Sequence, residues 1–404
     1  MTKLQDYNAF QGRHWETGSI HNVLAYQGVL APHTGKPFTE AFLLGMSGGI
    51  NFGYFTFHYT GLPPQLAILT RNTFDPFETI LERMGIAQKR LQTDKADKGL
   101  NNLIQILDEG KPAIIWADSY SMPYEAHRGR VDYWAMQPMI VYGHDGESAF
   151  IADRASVPLK VGAEALEIAR ARVKKTKFRA ISLEAPSEGK LVKAAQEAIG
   201  QCIAIFTESP PRGTTKNFGL SAYQHWSDML TNTRNKQSWK RFFPSDSGHF
   251  SAIAGHGPFP GLLDAIWAGK DGGAERNRYA DFLDEGALLL MNKRITKAAE
   301  LFRQSHQAWV QLAEALAPEH MPTLNEATKL IQMRSDSFIQ NGAAATETIR
   351  EINDRLSELA RAWPANEGSD EKRIAKHRKA IQTHVDRLHV AEKKAIEALI
   401  QAMS

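Results

Sequence analysis

The chain has 404 residues, 43% of them hydrophobic and 23% charged, an ordinary balance for a globular protein, and its length favours two domains over one. The formal charge of +3 is small and the cations are interleaved with acids, which argues against nucleic acid or an anionic membrane as partner. No apolar run approaches the roughly 18 residues a spanning helix needs, and the opening MTKLQDYNAF has no apolar signal core, so a cytoplasmic location is expected.

In FQGRHWETGSIHNVLAYQG, residues 10–28, Gly18 and Ser19 lead into Ile20, Val23 and Leu24 at helical spacing, which predicts a helix from about Gly18 to Gln27. The glycine-rich GMSGGINFGYFTFHY ends in an aromatic run suited to a strand. FDPFETILERMGI and ADKGLNNLIQILDEGK read as short amphipathic helices, the second stopping at Gly110. AIIWAD is a buried-strand pattern, and PMIVYGHDGESAFIAD, two apolar runs around GHDGES, predicts a β-hairpin. FRAISLE closes this region near Glu184, and Pro186 and Gly189 mark a linker.

Beyond the linker the pattern is helical almost throughout. EGKLVKAAQEAIGQCIAIF, NRYADFLDEGALLL and KAAELFRQSHQAWVQLAEAL are helices broken by Pro318 and Pro322, and the stretch from Leu324 to Trp363 is one long helix or two. The last segment carries Ile374, Ile381, Val385, Leu388, Ala391, Ala395 and Leu399 as a narrow apolar stripe, suited to packing on other helices of this chain or of a second copy. The fold class expected is α+β to about residue 186, then all-helical, with domains at 1–186 and 187–404.

Several constellations invite chemistry. His14, Glu16 and His21 resemble a metal set, but two histidines two turns apart lie roughly 10 Å apart along a helix axis, too far to share one ion. His249 and His256 lack a third ligand. The lone Cys202 sits among Ile199, Ile203 and Ile205 and reads as a buried small hydrophobe. GMSGGINFG has neither the Gly-Lys-Ser/Thr of a phosphate loop nor a dinucleotide fingerprint. No metal or cofactor is therefore expected. WADSYSMPYEAHRGRVDYW, residues 116–134, would suit a lid over a polar organic ligand through its aromatics with Asp118, His127, Arg128 and Arg130, or else an aromatic cover for the core edge.

GRHWETGSIHNVLAYQG, then LLGMSGGINFGYF, PMIVYGHD and AFIADR, resemble in order and spacing the N-terminal domain of the butirosin biosynthesis protein H family, a papain-like domain akin to the double-glycine leader peptidases. TTKNFGLSAYQHWSDML, ERNRYADFLDEGALLL and AAELFRQSHQAWVQLAEAL are similar to the helical C-terminal domain of that family. The resemblance implies an acyltransferase that moves an aminoacyl-type group from a carrier-protein thioester to an amine through a Cys–His–Asp arrangement. Carried over by position, the cysteine falls on Trp15, the histidine on Gln137 and the orienting acid on Asp153.

A tryptophan has no nucleophilic atom and a glutamine takes up no proton near neutral pH, so two of the three catalytic positions are lost together. The substitutes within reach are His14, Glu16 and Ser19 beside Trp15, and His144, expected as an exposed residue of the hairpin turn. Three functions follow. A degenerate papain-like cleft would bind a carrier protein, peptide or small metabolite, with Trp15, Tyr54, Trp116, Tyr120 and Trp134 as candidate contacts. An active acyltransferase would use direct amine attack on a carrier-bound thioester. A structural protein would assemble through its C-terminal helices, as a homodimer.

Overall fold

The computed structural model describes residues 2–58, 64–126, 134–210, 213–255, 260–267 and 272–404. The strands are β1 (Thr2–Lys3), β2 (Leu30–Ala31), β3 (Lys36–Pro37), β4 (Ile50–Phe57), β5 (Gln65–Arg71) and β6 (Gln88–Leu91). They continue with β7 (Ala113–Asp118), β8 (Met136–His144), β9 (Ser148–Ala152), β10 (Leu159–Gly162) and β11 (Ala180–Leu183). The helices begin with α1 (Trp15–Tyr26), α2 (Glu40–Met46), α3 (Pro76–Met84), α4 (Ala96–Asp108) and α5 (Ala163–Arg172). Then come α6 (Leu191–Thr207), α7 (Gly219–Thr231), α8 (Trp239–Phe242), α9 (Ser247–Ala254) and α10 (Leu262–Ile266). The last are α11 (Arg276–Leu289), α12 (Arg294–Leu316), α13 (Pro322–Asn341), α14 (Thr346–Trp363) and α15 (Glu371–Met403). The chain is α+β, sheet-rich first and helix-rich after.

These elements assort into two compact units. The first holds Met1–Ser47, Asp75–Ala194 and Asp336–Arg350, and the second holds Gly48–Phe74, Ala195–Ser335 and Glu351–Ser404. The division differs from a single cut at residue 186, and the aromatic rings explain part of it. The β4–β5 hairpin, read from sequence with the first domain, stacks Phe52 on Tyr223 of α7 at 3.8 Å between ring centres and sets Tyr54 beside Trp226 at 5.9 Å. Its apolar area is buried against helices of the second unit.

In the first unit an antiparallel sheet runs β10-β9-β8-β7-β11-β6, with β1 added to the end of β8. The expected hairpin is β8–β9: Asp145 Oδ1 accepts the backbone N–H groups of Glu147 and Ser148, at 3.0 and 2.6 Å, and Gly146 takes the positive φ of the turn. Helix α1 buries Ile20, Val23 and Leu24 and packs on β8. Helix α3 opens on Pro76 and closes on left-handed Gly85, the start and stop signals of its sequence.

In the second unit the stripe of α15 is core. Ile374, Ile381, Val385, Leu388, Ala395 and Leu399 are buried, and the helix lies along α12 and α7. The stretch from Leu324 to Trp363 is two helices broken at Gly342, which has a φ of +53° and where a Cβ would stand 2.6 Å from the Leu159 side chain and 2.9 Å from that of Val157. Among the described residues no helix is long and apolar enough to cross a membrane.

Candidate functional site

Helix α1 is capped from a distance. His14 at its N-cap makes no side-chain cap. Instead the Glu40 carboxylate of α2 accepts the backbone N–H of Arg13 at 2.9 Å, that of His14 at 2.8 Å and the Thr17 hydroxyl at 2.9 Å. A carboxylate there satisfies orphan amides and complements the helix dipole. The backbone before the helix runs close against it, for a Cβ on Gly12 would stand 2.5 Å from the Gly18 Cα. Gly12→Ala is therefore expected to cost about 1–3 kcal/mol through a forced shift of the helix start, read by urea unfolding.

Trp15 is the first residue of α1, and its ring carries a cation. The Arg154 guanidinium lies 4.1 Å from the Trp15 ring centre and 5.0 Å from that of Phe338, which the Asp336–Arg350 segment supplies. Arg154 Nε donates to Asp153 Oδ1 at 2.9 Å and Nη2 to Asp153 Oδ2 at 3.2 Å, while Nη2 also bonds Glu125. The Tyr124 hydroxyl donates to Asp153 Oδ2 at 3.0 Å. Burial alone would ease Arg154 toward neutrality, but the two carboxylates outweigh it and hold the guanidinium charged. Burial raises the Glu125 pKa, an effect Arg154 opposes, and burial with the neighbouring carboxylates keeps the Tyr124 phenol protonated.

Gln137 lies in β8 opposite Ala117 of β7 and is half-buried. By strand alternation it shares a face with Met139, whose Sδ lies 3.8 Å from the Tyr124 hydroxyl. Asp153 follows directly on β9, whose last residue, Ala152, stands opposite Ile140 of β8. The cysteine, histidine and acid positions implied by the resemblance thus fall at the start of α1, in β8 and directly after β9.

The other candidate residues are placed elsewhere. His144 is buried rather than an exposed turn residue, because β1 pairs Thr2 with it. Its Nδ1 accepts the Gly146 N–H at 3.1 Å, and desolvation lowers its pKa, so it stays neutral. Ser19 is buried within α1, and Glu16 lies in the first turn. His21 Nδ1 bonds the Phe38 carbonyl at 2.7 Å.

Trp116 is buried inside β7 rather than in a lid, with the Arg179 guanidinium 5.0 Å from its ring centre and Phe77 edge-on at 5.2 Å. Tyr120 is half-buried in a short turn, and Trp134 is 62% exposed. Asp118 organises that loop: it accepts from Tyr120 N, the Ser121 hydroxyl and Ala135 N, and pairs with Arg172 at 2.8 Å. His127, Arg128, Arg130 and His256 lie outside the described residues.

Tyr54 is buried in the second unit, where its hydroxyl accepts from Trp239 Nε1 at 3.1 Å. Cys202 is buried, its thiol directed at the Ile50 carbonyl and pushed up to about 12 by desolvation, as expected of a structural cysteine. His249 pairs with His377. Among the described residues no three metal-type side chains gather.

Arg154, Glu125, Tyr124 and Phe338 did not stand out in the sequence. The one local signal was an arginine directly after the retained acid. Phe338 gave none, being 184 residues from Arg154 in the chain (338 − 154).

In the first unit, then, the start of α1 lies against Arg154, which follows the β8–β9 hairpin and the acid at its end. Residues 14–154 match the family model described as butirosin biosynthesis protein H, N-terminal, so this part of the chain is similar to that family. No curated protein matches the chain.

Proposed function

We propose that the protein is a family member in which cysteine-dependent acyl transfer has been replaced by binding, and that it holds a carrier protein, peptide or small metabolite of specialised metabolism at the place of the lost nucleophile. The observation that carries this reading is the Arg154 guanidinium, which covers the Trp15 ring and holds Asp153, the acid that would otherwise orient a histidine. Arginine and tyrosine take three of the roughly four acceptor sites of Asp153, and position 137 holds a glutamine rather than an imidazole. His144, the nearest substitute base in sequence, is committed to the Gly146 N–H.

The test is transfer of an acyl or aminoacyl group from a carrier-protein thioester to an amine. No transfer above the uncatalysed rate is expected with wild type, and carrier or metabolite binding is expected to weaken on Trp15→Ala. Robust wild-type turnover would establish the alternative, an acyltransferase working by direct amine attack.

A further inference from the structure

We propose that the cluster around Trp15 is a cage for an arginine-type guanidinium, of which Arg154 is the resident occupant. The inference rests on reading residue 15 as part of a binding site, and it names the ligand class. Two aromatic faces enclose the guanidinium plane, Trp15 at 4.1 Å and Phe338 at 5.0 Å, and two carboxylates, Asp153 and Glu125, take its edge. Stacked rings with a planar carboxylate fork match guanidinium better than ammonium.

Three observations go beyond an ordinary ion pair. First, two carboxylates face one guanidinium. The neighbouring Arg13 holds the backbone of the occupant, its Nη1 donating to the Arg154 carbonyl at 3.1 Å and its Nη2 to the Ser156 hydroxyl at 2.8 Å. Second, Trp15 Nε1 is buried with no hydrogen-bond partner among the described residues, a donor at the edge of the ring that the resident does not use. The carbonyl of an incoming arginine derivative would satisfy it. Third, Arg154 reaches the cage from a left-handed backbone, φ +50°, which an L-residue adopts at a cost, so the occupant is held there under strain.

Arg154→Gly empties the cage and keeps the backbone, because glycine takes a positive φ freely. Calorimetric titration would use agmatine, a free guanidinium, and acetyl-arginine-amide, which adds the carbonyl. Both are expected to bind the glycine variant at least about tenfold more tightly than wild type, and Glu125→Gln in that background is expected to remove a similar factor. Putrescine, which lacks the planar fork, is expected to bind more weakly than agmatine. Preference for the arginine amide would assign the site to peptides, and preference for agmatine to small metabolites.

If the glycine variant is partly unfolded, agmatine is expected to restore its folded fraction where putrescine does not. A folded variant that binds neither guanidinium, binding that survives Glu125→Gln, or an unfolded variant that agmatine fails to rescue would overturn the cage. Acyl transfer by wild type is read in a separate assay and would overturn the non-catalytic reading instead, so the two failures are distinct.

Discussion

Replacing Glu392 by alanine is expected to destabilise the second unit by about 3–5 kcal/mol, the range for removing one partner of a buried ion pair. Glu392 of α15 and Arg276 of α11 are both fully buried, with Arg276 Nε 2.8 Å from Glu392 Oε1. Every donor of the guanidinium is used. Nη1 donates to the Thr70 and Ala274 carbonyls at 2.8 and 2.7 Å, and Nη2 to the Asn51 carbonyl at 2.9 Å, Tyr223 Oη at 3.3 Å and Glu392 Oε2 at 3.3 Å.

Glu392 Oε1 also accepts from the Ser305 hydroxyl and from Trp309 Nε1. Truncating the acid leaves a charged guanidinium in an apolar interior with no counter-ion, and Arg276→Ala strands the carboxylate in the same way. The double change Arg276→Met with Glu392→Leu should cost less than the two single changes together, because no lone charge remains. It should still cost something, since the carbonyls of Asn51 and Thr70 in the β4–β5 hairpin lose their donor. Urea unfolding of the three variants checks this, and near-additive costs would contradict it.

The second large effect is a loss of stability in mild acid. His249 of α9 and His377 of α15 meet ring to ring, Nε2 to Nδ1 at 3.0 Å, and His377 Nε2 reaches the Ala315 carbonyl of α12 at 2.8 Å. A carbonyl only accepts, so His377 carries its proton on Nε2, and its bare Nδ1 takes the proton of His249 Nε2. One chain of bonds thus ties three helices, and it exists only while His377 is neutral, because a proton on its Nδ1 removes the acceptor that His249 uses.

Burial is the main cause of that neutrality, and the charges of Arg373 and Arg378 reinforce it, while the Ala315 carbonyl opposes it at His377 and Glu371 pairs with Arg378. The His377 pKa is lowered from 6.5 to about 4. The unfolded chain therefore binds a proton that the folded chain refuses. The contribution of this ring is complete above pH 6.5 and is lost as pH falls from there to about 4. The loss expected from His377 is about 3 kcal/mol, with a further loss from His249. Urea midpoints measured from pH 7.5 to 4 should fall over that window, and His377→Gln, which can still bridge His249 and Ala315, should flatten the slope.

How far the sequence carried depended on the range of the cause. Helix α3, helix α4 and the β8–β9 hairpin announce themselves locally, with a proline or glycine at the right end and an apolar rhythm between. The strands β6 and β10, reading QKRL and LKVG, are four residues each, too short for a pattern to mark them alone, and antiparallel neighbours make them strands.

At the site, the resemblance named Trp15, Gln137 and Asp153, but it could not say that Arg154 joins the first of these to the last. Tyr54 belonged to an aromatic run adjacent in sequence to that domain, yet tertiary packing gave the run to α7. His144 looked like a turn residue because its pairing partner, Thr2, lies at the far end of the sequence.

The Asp336–Arg350 segment also bears on how the protein comes to be made. A chain emerging from the ribosome has synthesised residues 1–194 long before Phe338, Gly342 and Ile349 exist to cover Arg154, Val157 and Ala126. The first unit therefore cannot finish ahead of the second in the order of translation, as successive domains ordinarily do. A gene truncated near residue 194 would encode a sheet with one wall of its Trp15 pocket permanently missing. Cutting at the apparent linker around Pro186 would produce fragments that each lack a piece the other carries, and co-expressing the halves is the way to recover both.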